Sequence, residues 1–228
     1  MATQNFDRLL DPTPMPLETG YERLQSGVPH VACRTDMHGC SGAMLEWWFH
    51  FRPDTQHYTW WHPVDHISSE WLEVQQGTHI GSIHKVEEMF TGTPARQLLI
   101  QLRAPAEFFS AEALATARQT GKVSGIICGH GGESWQAPRD PQGRVMGSRL
   151  IHVARDTPWG CVLRSHFYLG WDLPAIGKTA QEIQAMIPDS VPAPLLAHCY
   201  NEFTFLARFL PSLFIAENRK TIPVQLPW

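Results

Sequence analysis

Pro194-Leu-Leu-Ala-His-Cys-Tyr-Asn-Glu-Phe-Thr-Phe-Leu-Ala-Arg-Phe-Leu-Pro-Ser-Leu-Phe-Ile-Ala-Glu217 reads as one long helix near the C-terminus. Leu196, Cys199, Phe203, Leu206, Leu210 and Leu213 recur at helical spacing and form an apolar stripe. Pro211 is expected to kink the helix. His198 and Glu202, four apart, project from one face about one turn apart, at the border of that stripe. An imidazole and a carboxylate so placed can both reach one divalent ion. Taken alone, such a pair is also a common ion pair of helix surfaces.

Outward from this helix the chain is punctuated by prolines at 188, 192 and 194. Before them, residues 178–187 form a short helix capped near Thr179. Residues 147–155 and 160–169 read as an antiparallel pair joined around Asp156-Thr-Pro-Trp159. In one phase His152 shares a face with Leu150. His166 shares one with Arg164 and Tyr168. Further strands are expected over 80–90, over 98–103, where Leu98, Ile100 and Leu102 alternate with Leu99, Gln101 and Arg103, and over 123–128. Residues 111–117 suggest a short helix, while 43–51 and 64–71 read as either a helical turn or a strand. Residues 1–30 are proline-rich and read as an arm, so the division expected is an N-terminal arm over 1–40 and one domain over 41–228. A sheet-forming middle followed by a long helix is an α+β pattern, with helices packed on one curved antiparallel sheet.

Composition narrows the class. The 228 residues, 43% hydrophobic, suffice for a sizeable core. The net charge of -4 and the absence of a basic block argue against nucleic acid as a partner. No apolar run approaches the ~20 residues of a membrane span. The start lacks the pattern of a signal peptide, so a cytoplasmic protein is expected. Five scattered cysteines without a C-x-x-C suggest reduced, buried thiols. Cys33, His38 and Cys40 make a metal clip conceivable, but no second ligand pair accompanies them.

The densest cluster of chemistry-bearing residues is Tyr58-Thr-Trp-Trp-His62-Pro-Val-Asp-His66, with two histidines, an aspartate and a tyrosine within nine residues. Neutral imidazole is a good metal ligand, and a nearby acid can orient it. Glu87-Glu88 closes a predicted strand, so one carboxylate faces inward and needs a cation or a proton partner. His152 and His166 are candidates for general acid–base work. Gly129-His-Gly-Gly-Glu133 has the look of an oxyanion glycine run, but no nucleophile elbow, P-loop or HExxH accompanies it. These residues leave His62 beside His66, and Glu87 beside Glu88, as alternative ligands.

Taken in order, Glu46-Trp-Trp-Phe49, Tyr58…Trp61-His-Pro-Val-Asp-His66, Glu88-Met-Phe-Thr-Gly92, Arg164-Ser-His-Phe-Tyr-Leu-Gly170 and His198…Glu202 resemble the 2,4-diacetylphloroglucinol hydrolase and phloretin hydrolase family, across roughly residues 40–210. The resemblance implies a helix-grip fold, like that of the Bet v 1 proteins, in which a curved antiparallel sheet wraps a long C-terminal helix. It implies one zinc ion per chain held by two His and two Glu, matched here by His66, Glu88, His198 and Glu202. His₂Glu₂ also accepts iron, manganese or cobalt. The tyrosine eight residues before the first histidine ligand selects His66. The same resemblance makes Tyr58 a substrate-binding residue, His152 the polar active-site histidine and Tyr168 a counterpart for a second substrate tyrosine. It leaves room for a homodimer.

The activity implied is hydrolysis of the C–C bond between an acyl group and a phenolic ring or enolic β-diketone, giving a carboxylic acid and the deacylated product. Tyr58 would hold a phenolic hydroxyl, His152 would shuttle a proton, and Glu88 would act as base. Trp47, Trp48, Trp60 and Trp61 would wall the cavity, with Trp48 against the substrate. Two other classes share the scaffold: a metal-free carrier of a polyketide or phenol, and a polyketide cyclase or isomerase.

Overall fold

The long helix is present. In the computed structural model, which describes residues 6–219, α5 spans Pro192–Asn218. Residues 1–5 of the expected arm and 220–228 of the expected domain lie outside the described residues. The buried stripe of α5 is Leu195, His198, Cys199, Glu202, Phe203, Leu206 and Leu210. The polar pair therefore lies within the stripe rather than at its border. Leu196 and Leu213 are only partly buried. Helical assignment continues through Pro211. Proline cannot donate to the carbonyl four residues back, and the Cys40 thiol lies 3.8 Å from that oxygen, on Ala207.

The helix packs against an eight-stranded, wholly antiparallel sheet ordered β1-β2-β8-β7-β6-β5-β4-β3. The strands are β1 (Gly20–Arg23), β2 (Pro29–His38), β3 (His66–Leu72), β4 (Ile83–Glu88), β5 (Arg96–Arg103), β6 (Gly125–Gly132), β7 (Ser148–Thr157) and β8 (Gly160–Tyr168). This curved sheet around a long C-terminal helix is the helix-grip architecture. The inner face carries Val31, Cys33, Val86, Leu98, Leu102, Ile127, Ala154 and Leu163 toward Phe203, Leu206 and Leu210 of α5. Period-2 alternation sends Ile126, Cys128, Ile151, Val153 and Tyr168 to the other face, where Leu9, Leu10, Phe108 and Phe109 cover them. At roughly 1.5–3 kcal/mol per fully buried large apolar side chain, these two layers are the main source of stability.

Several boundaries differ from the reading of the sequence. Residues 20–38 are not part of an arm: β2 pairs with β8 from His30↔Tyr168 to His38↔Gly160. Residues 9–13 do lie over the outer face, where Arg155 donates to the Leu9 and Asp11 carbonyls and Arg164 to those of Asp11, Pro12 and Thr13. Residues 43–51 fall within a helix, α1 (Gly42–Phe51), capped by Ser41. A second helix, α2 (Thr55–Trp61), follows. The 64–71 stretch becomes β3. Helix α3 covers Ala111–Gln119 and α4 covers Ala180–Met186, the latter with a Thr179–Glu182 capping box. The glycine run at 129–132 is strand, paired to β5 and β7, rather than an oxyanion loop. A Cβ on Gly132 would stand 2.2 Å from that of Ala137, so the run serves close packing. No clip forms around Cys33: the His38 ring packs at 4.9 Å, tilted, on Trp159, and all five cysteines are free. Among the described residues, no helix is long and apolar enough to cross a membrane.

Candidate metal centre

Helix α2 and the turn after it deliver the first candidate ligand, His66. Asp54 caps α2 by accepting from the His57 N–H at 3.0 Å. Pro63 stops the helix, because the residue before a proline is driven from helical geometry, and His62 is extended at φ -140°, ψ 96°. The chain turns and enters β3 at His66, opposite Glu88 of β4, with a register shift between His66 and Ser68. Such a bulge re-aims a side chain next to a site. From the other side, α5 brings His198 and Glu202.

Four side chains converge. His66 Nε2 lies 3.7 Å from Glu88 Oε2 and 3.8 Å from Glu202 Oε2, and His198 Nε2 lies 3.8 Å from Glu88 Oε1. Donor atoms of His66, His198 and Glu202 all fall within 4.8 Å of one another. Ligands about 2.0–2.2 Å from a tetrahedral zinc stand roughly 3.3–3.6 Å apart, so these spacings need little closure to hold an ion. All four residues are buried. His66 Nε2 is buried with no hydrogen-bond partner.

The tautomers suit metal binding. His66 Nδ1 meets the Tyr58 carbonyl at 2.8 Å and must donate to it, which leaves a lone pair on Nε2. His198 Nδ1 lies 3.1 Å from Asp65 Oδ2, so its Nε2 is likewise free to face Glu88. His62 is oriented differently. Its Nδ1 accepts the Asp65 N–H at 3.0 Å and its Nε2 turns to Asp65 Oδ2 at 3.3 Å. That Nε2 is buried without a hydrogen bond, as is His66 Nε2, but it is His66 that faces the Glu88 and Glu202 carboxylates. Alternation on β4 buries Glu88 beside His66 and His198 and turns Glu87 to the opposite face.

Electrostatics show what the cluster lacks. Burial, against the pull of His198 and with the help of Glu88, pushes the Glu202 carboxyl up to about 8. Burial disfavours the His198 imidazolium, yet Asp65, Glu88 and Glu202 together push it up to about 9. Burial drives His66 well below its ordinary value. The ion-pair partners of Asp65, Glu88 and Glu202 among the described residues are all imidazoles, and a divalent cation would neutralise the three carboxyl groups. The residues fit a metal ion.

Tyr58 belongs to the same cluster. Its ring stacks 3.7 Å from that of His66, and its hydroxyl donates a short hydrogen bond to Glu88 Oε2. Burial, reinforced by Glu88, raises its pKa well above the ordinary value, so it stays a donor. His152 is on the inner face but apart from the ligands, with the Phe203 ring 5.0 Å away. Its Nδ1 meets Ser165 Oγ at 2.8 Å, and Ser165 and Cys33 bear in turn on the Cys199 thiol of α5. Burial drives His152 down to about 3, which keeps it neutral. Trp48 stands behind Trp61, 5.7 Å away, and it is Trp61 that reaches His66 at 5.3 Å. Tyr168 is not brought to the site. It lies on the outer face, stacked 4.4 Å from His30 and packed on Phe6, because β8 sends residues 164, 166 and 168 outward.

The sequence marks Asp65 only as an acid near two histidines, and it assigns no role to Thr91 or Arg96. Asp65 Oδ2 accepts from Thr91 Oγ1 at 2.9 Å as well as from His198. The signal lay in Asp65 itself, an acid held between two histidines of one turn. A cavity of about 480 Å³ opens beside the cluster, lined by Phe90, Arg96, Glu133, Leu169 and Ile187 among others. The Phe90 ring lies 5.7 Å from that of His198.

A family model described as the DAPG hydrolase PhiG domain matches residues 1–215. The chain is 25% identical over 235 residues to a 2,4-diacetylphloroglucinol hydrolase of a Pseudomonas species, covering 93% of this chain and 76% of that protein. It is 28% identical over 213 residues to the phloretin hydrolase of Eubacterium ramulus, covering 87% of this chain and 72% of that one. Among solved structures, Ara h 8.0201 overlaps it with a TM-score of 0.47 at 14% identity, over 81% of this chain and 99% of that one.

Proposed function

The chain belongs to the DAPG hydrolase PhiG domain family, and from that premise we propose that it is a zinc-dependent hydrolase of acylphenols or enolic β-diketones. The reaction adds water across the C–C bond between the acyl carbon and the ring or enol carbon. The acyl group leaves as a carboxylic acid, and the other carbon takes a proton. The observation that carries the reading is the convergence of His66, Glu88, His198 and Glu202, with His66 Nε2 buried and unpartnered. A carrier of apolar ligands has no use for such a set.

Zinc bound there would polarise the ketone and make a water more acidic. The chain's own groups supply the rest. Tyr58 is kept protonated by burial and by Glu88, and its hydroxyl orients that carboxylate. Glu88 is the proposed base, because its second contact, with Tyr58, offers it a partner when it turns from the ion. A phenolic oxygen that displaced Glu88 from the Tyr58 hydroxyl would be held in the orientation that favours protonation of the ring carbon. His152 is proposed as the second proton-handling group, joined through Ser165 to α5. The unit that performs this extends from β1 through α5, and a cytoplasmic location is proposed with it.

The test is acid release from 2,4-diacetylphloroglucinol and from a simple β-diketone, followed while metal is removed by a chelator and restored as zinc. Release should fall with zinc content and return on restoration. Undiminished turnover after complete chelation would overturn the reading.

A further inference from the structure

A polar row crosses the inner face beside the metal centre. Arg96 of β5 pairs in register with Glu88 of β4, and the alternation that turns Leu98 and Leu102 inward turns Arg96 the same way. Its Cζ lies 4.8 Å over the Phe90 ring, and that ring lies against His198. One aromatic ring thus separates the guanidinium from a metal-ligand imidazole. Both Arg96 and Phe90 line the 480 Å³ cavity.

The guanidinium is under-used. Every other buried or half-buried arginine of the described residues donates at least one hydrogen bond: Arg23, Arg52, Arg103, Arg144, Arg149, Arg155 and Arg164. Arg96 donates none. Its Nε is buried without a partner. Its sole ion pair, Nη1 to Glu133 Oε2, is loose at 3.9 Å. The Glu133 side chain is 54% exposed, so solvent screens that counter-charge further. A guanidinium carries five donors in a planar fork suited to an anionic oxygen.

We infer that Arg96 is a specificity residue that recognises an ionised oxygen, a phenolate, on the part of the substrate remote from the bond that breaks. The inference rests on the acylphenol reading above and names the form of substrate preferred. With the acyl carbonyl at the metal ligands, the ring spans Phe90 and presents a ring oxygen to Arg96. A charge-assisted hydrogen bond there favours the anion over the neutral phenol.

The probe is 4-nitrophenol, whose phenolate is coloured and which has no acyl group to lose. Its titration is followed by absorbance on the zinc-loaded wild type and on the Arg96→Gln and Arg96→Lys variants. An opposite charge at this range shifts ionisation at least about tenfold. The bound dye should therefore ionise about one pH unit lower on the wild type than on Arg96→Gln, with Arg96→Lys close to the wild type. For 2,4-diacetylphloroglucinol, Arg96→Gln should raise KM by about tenfold with a smaller change in kcat. Equal dye titrations on wild type and Arg96→Gln, or no shift on either, would overturn the inference. A dye shift with no acid release by the wild type would uphold Arg96 as an anion-recognising group and overturn the hydrolase reading instead.

Discussion

Replacing Asp65 by asparagine keeps the shape of the side chain and removes its charge. The consequence can be worked from three contacts on one oxygen. Oδ2 accepts from Thr91 Oγ1 at 2.9 Å and His198 Nδ1 at 3.1 Å, and faces His62 Nε2 at 3.3 Å. Burial would raise this carboxyl, but the hydrogen bonds from His198 and Thr91 hold it below its ordinary value, so it is ionised at neutral pH. An ionised partner at Nδ1 fixes the tautomer and raises the basicity of Nε2, the nitrogen that faces Glu88. Loss of such a partner typically costs 10–100-fold in metal affinity, or about 1.4–2.7 kcal/mol. The Asp65→Asn variant should therefore bind zinc about 10–100-fold more weakly in competition with a chromogenic chelator. Thr91→Val removes only a neutral hydrogen bond, worth about 1 kcal/mol of stability, and should change zinc affinity less than about threefold. Wild-type affinity in Asp65→Asn, or an equal loss in Thr91→Val, would refute the claim that the carboxylate's charge acts through His198.

Four further outcomes are expected. His66→Ala should lose bound metal, whereas His62→Ala should keep it within about a factor of ten, since His62 acts only through Asp65; elemental analysis separates them. Tyr58→Phe should retain metal and lose about 10²-fold or more in kcat, as removal of a proton-handling group does; unchanged kcat would remove Tyr58 from the mechanism. Glu202 and His198, pushed up to about 8 and about 9, hold protons in the metal-free fold that their unfolded values, 4.5 and 6.5, would release. Their contribution to metal-free stability is present below those unfolded values and is lost as pH rises toward 8 and 9, while zinc needs them deprotonated. The gain in Tm on adding zinc should thus grow from pH 5 to pH 9, and a constant gain would contradict the assignment. Finally, a Cβ at Gly42 would meet Ser124 and Gly125 backbone atoms at 2.4 and 2.5 Å. Gly42→Ala should cost roughly 1–3 kcal/mol in denaturant melts by forcing α1 off β6.

Much of the architecture is legible because helix and strand periods write themselves into the chain. The stripe along α5 and the alternation in β5 required no neighbours to be read. The N-terminal strands were not, because Gly20–Arg23 and Pro29–His38 lie among prolines, and only their pairing with β8 reveals them. The His198–Glu202 pair was visible as a spacing, but its burial depends on which way α5 is rolled against the sheet. Tyr168 went astray because β8 alternates and one register decides which aromatic faces the ligands. Asp65 is legible as an acid beside two histidines, but its partner His198 lies 133 residues away, and Arg96 is distinguished only by a partner it lacks.

A single buried His₂Glu₂ site would hold one divalent ion per chain, and that stoichiometry is measurable. Elemental analysis of zinc-reconstituted wild type, His198→Ala and Glu202→Ala, with folding checked by circular dichroism, should give one metal per wild-type chain. Both folded variants should hold far less and should lose activity in step. Full metal occupancy in both variants would mean that His198 and Glu202 do not hold the ion.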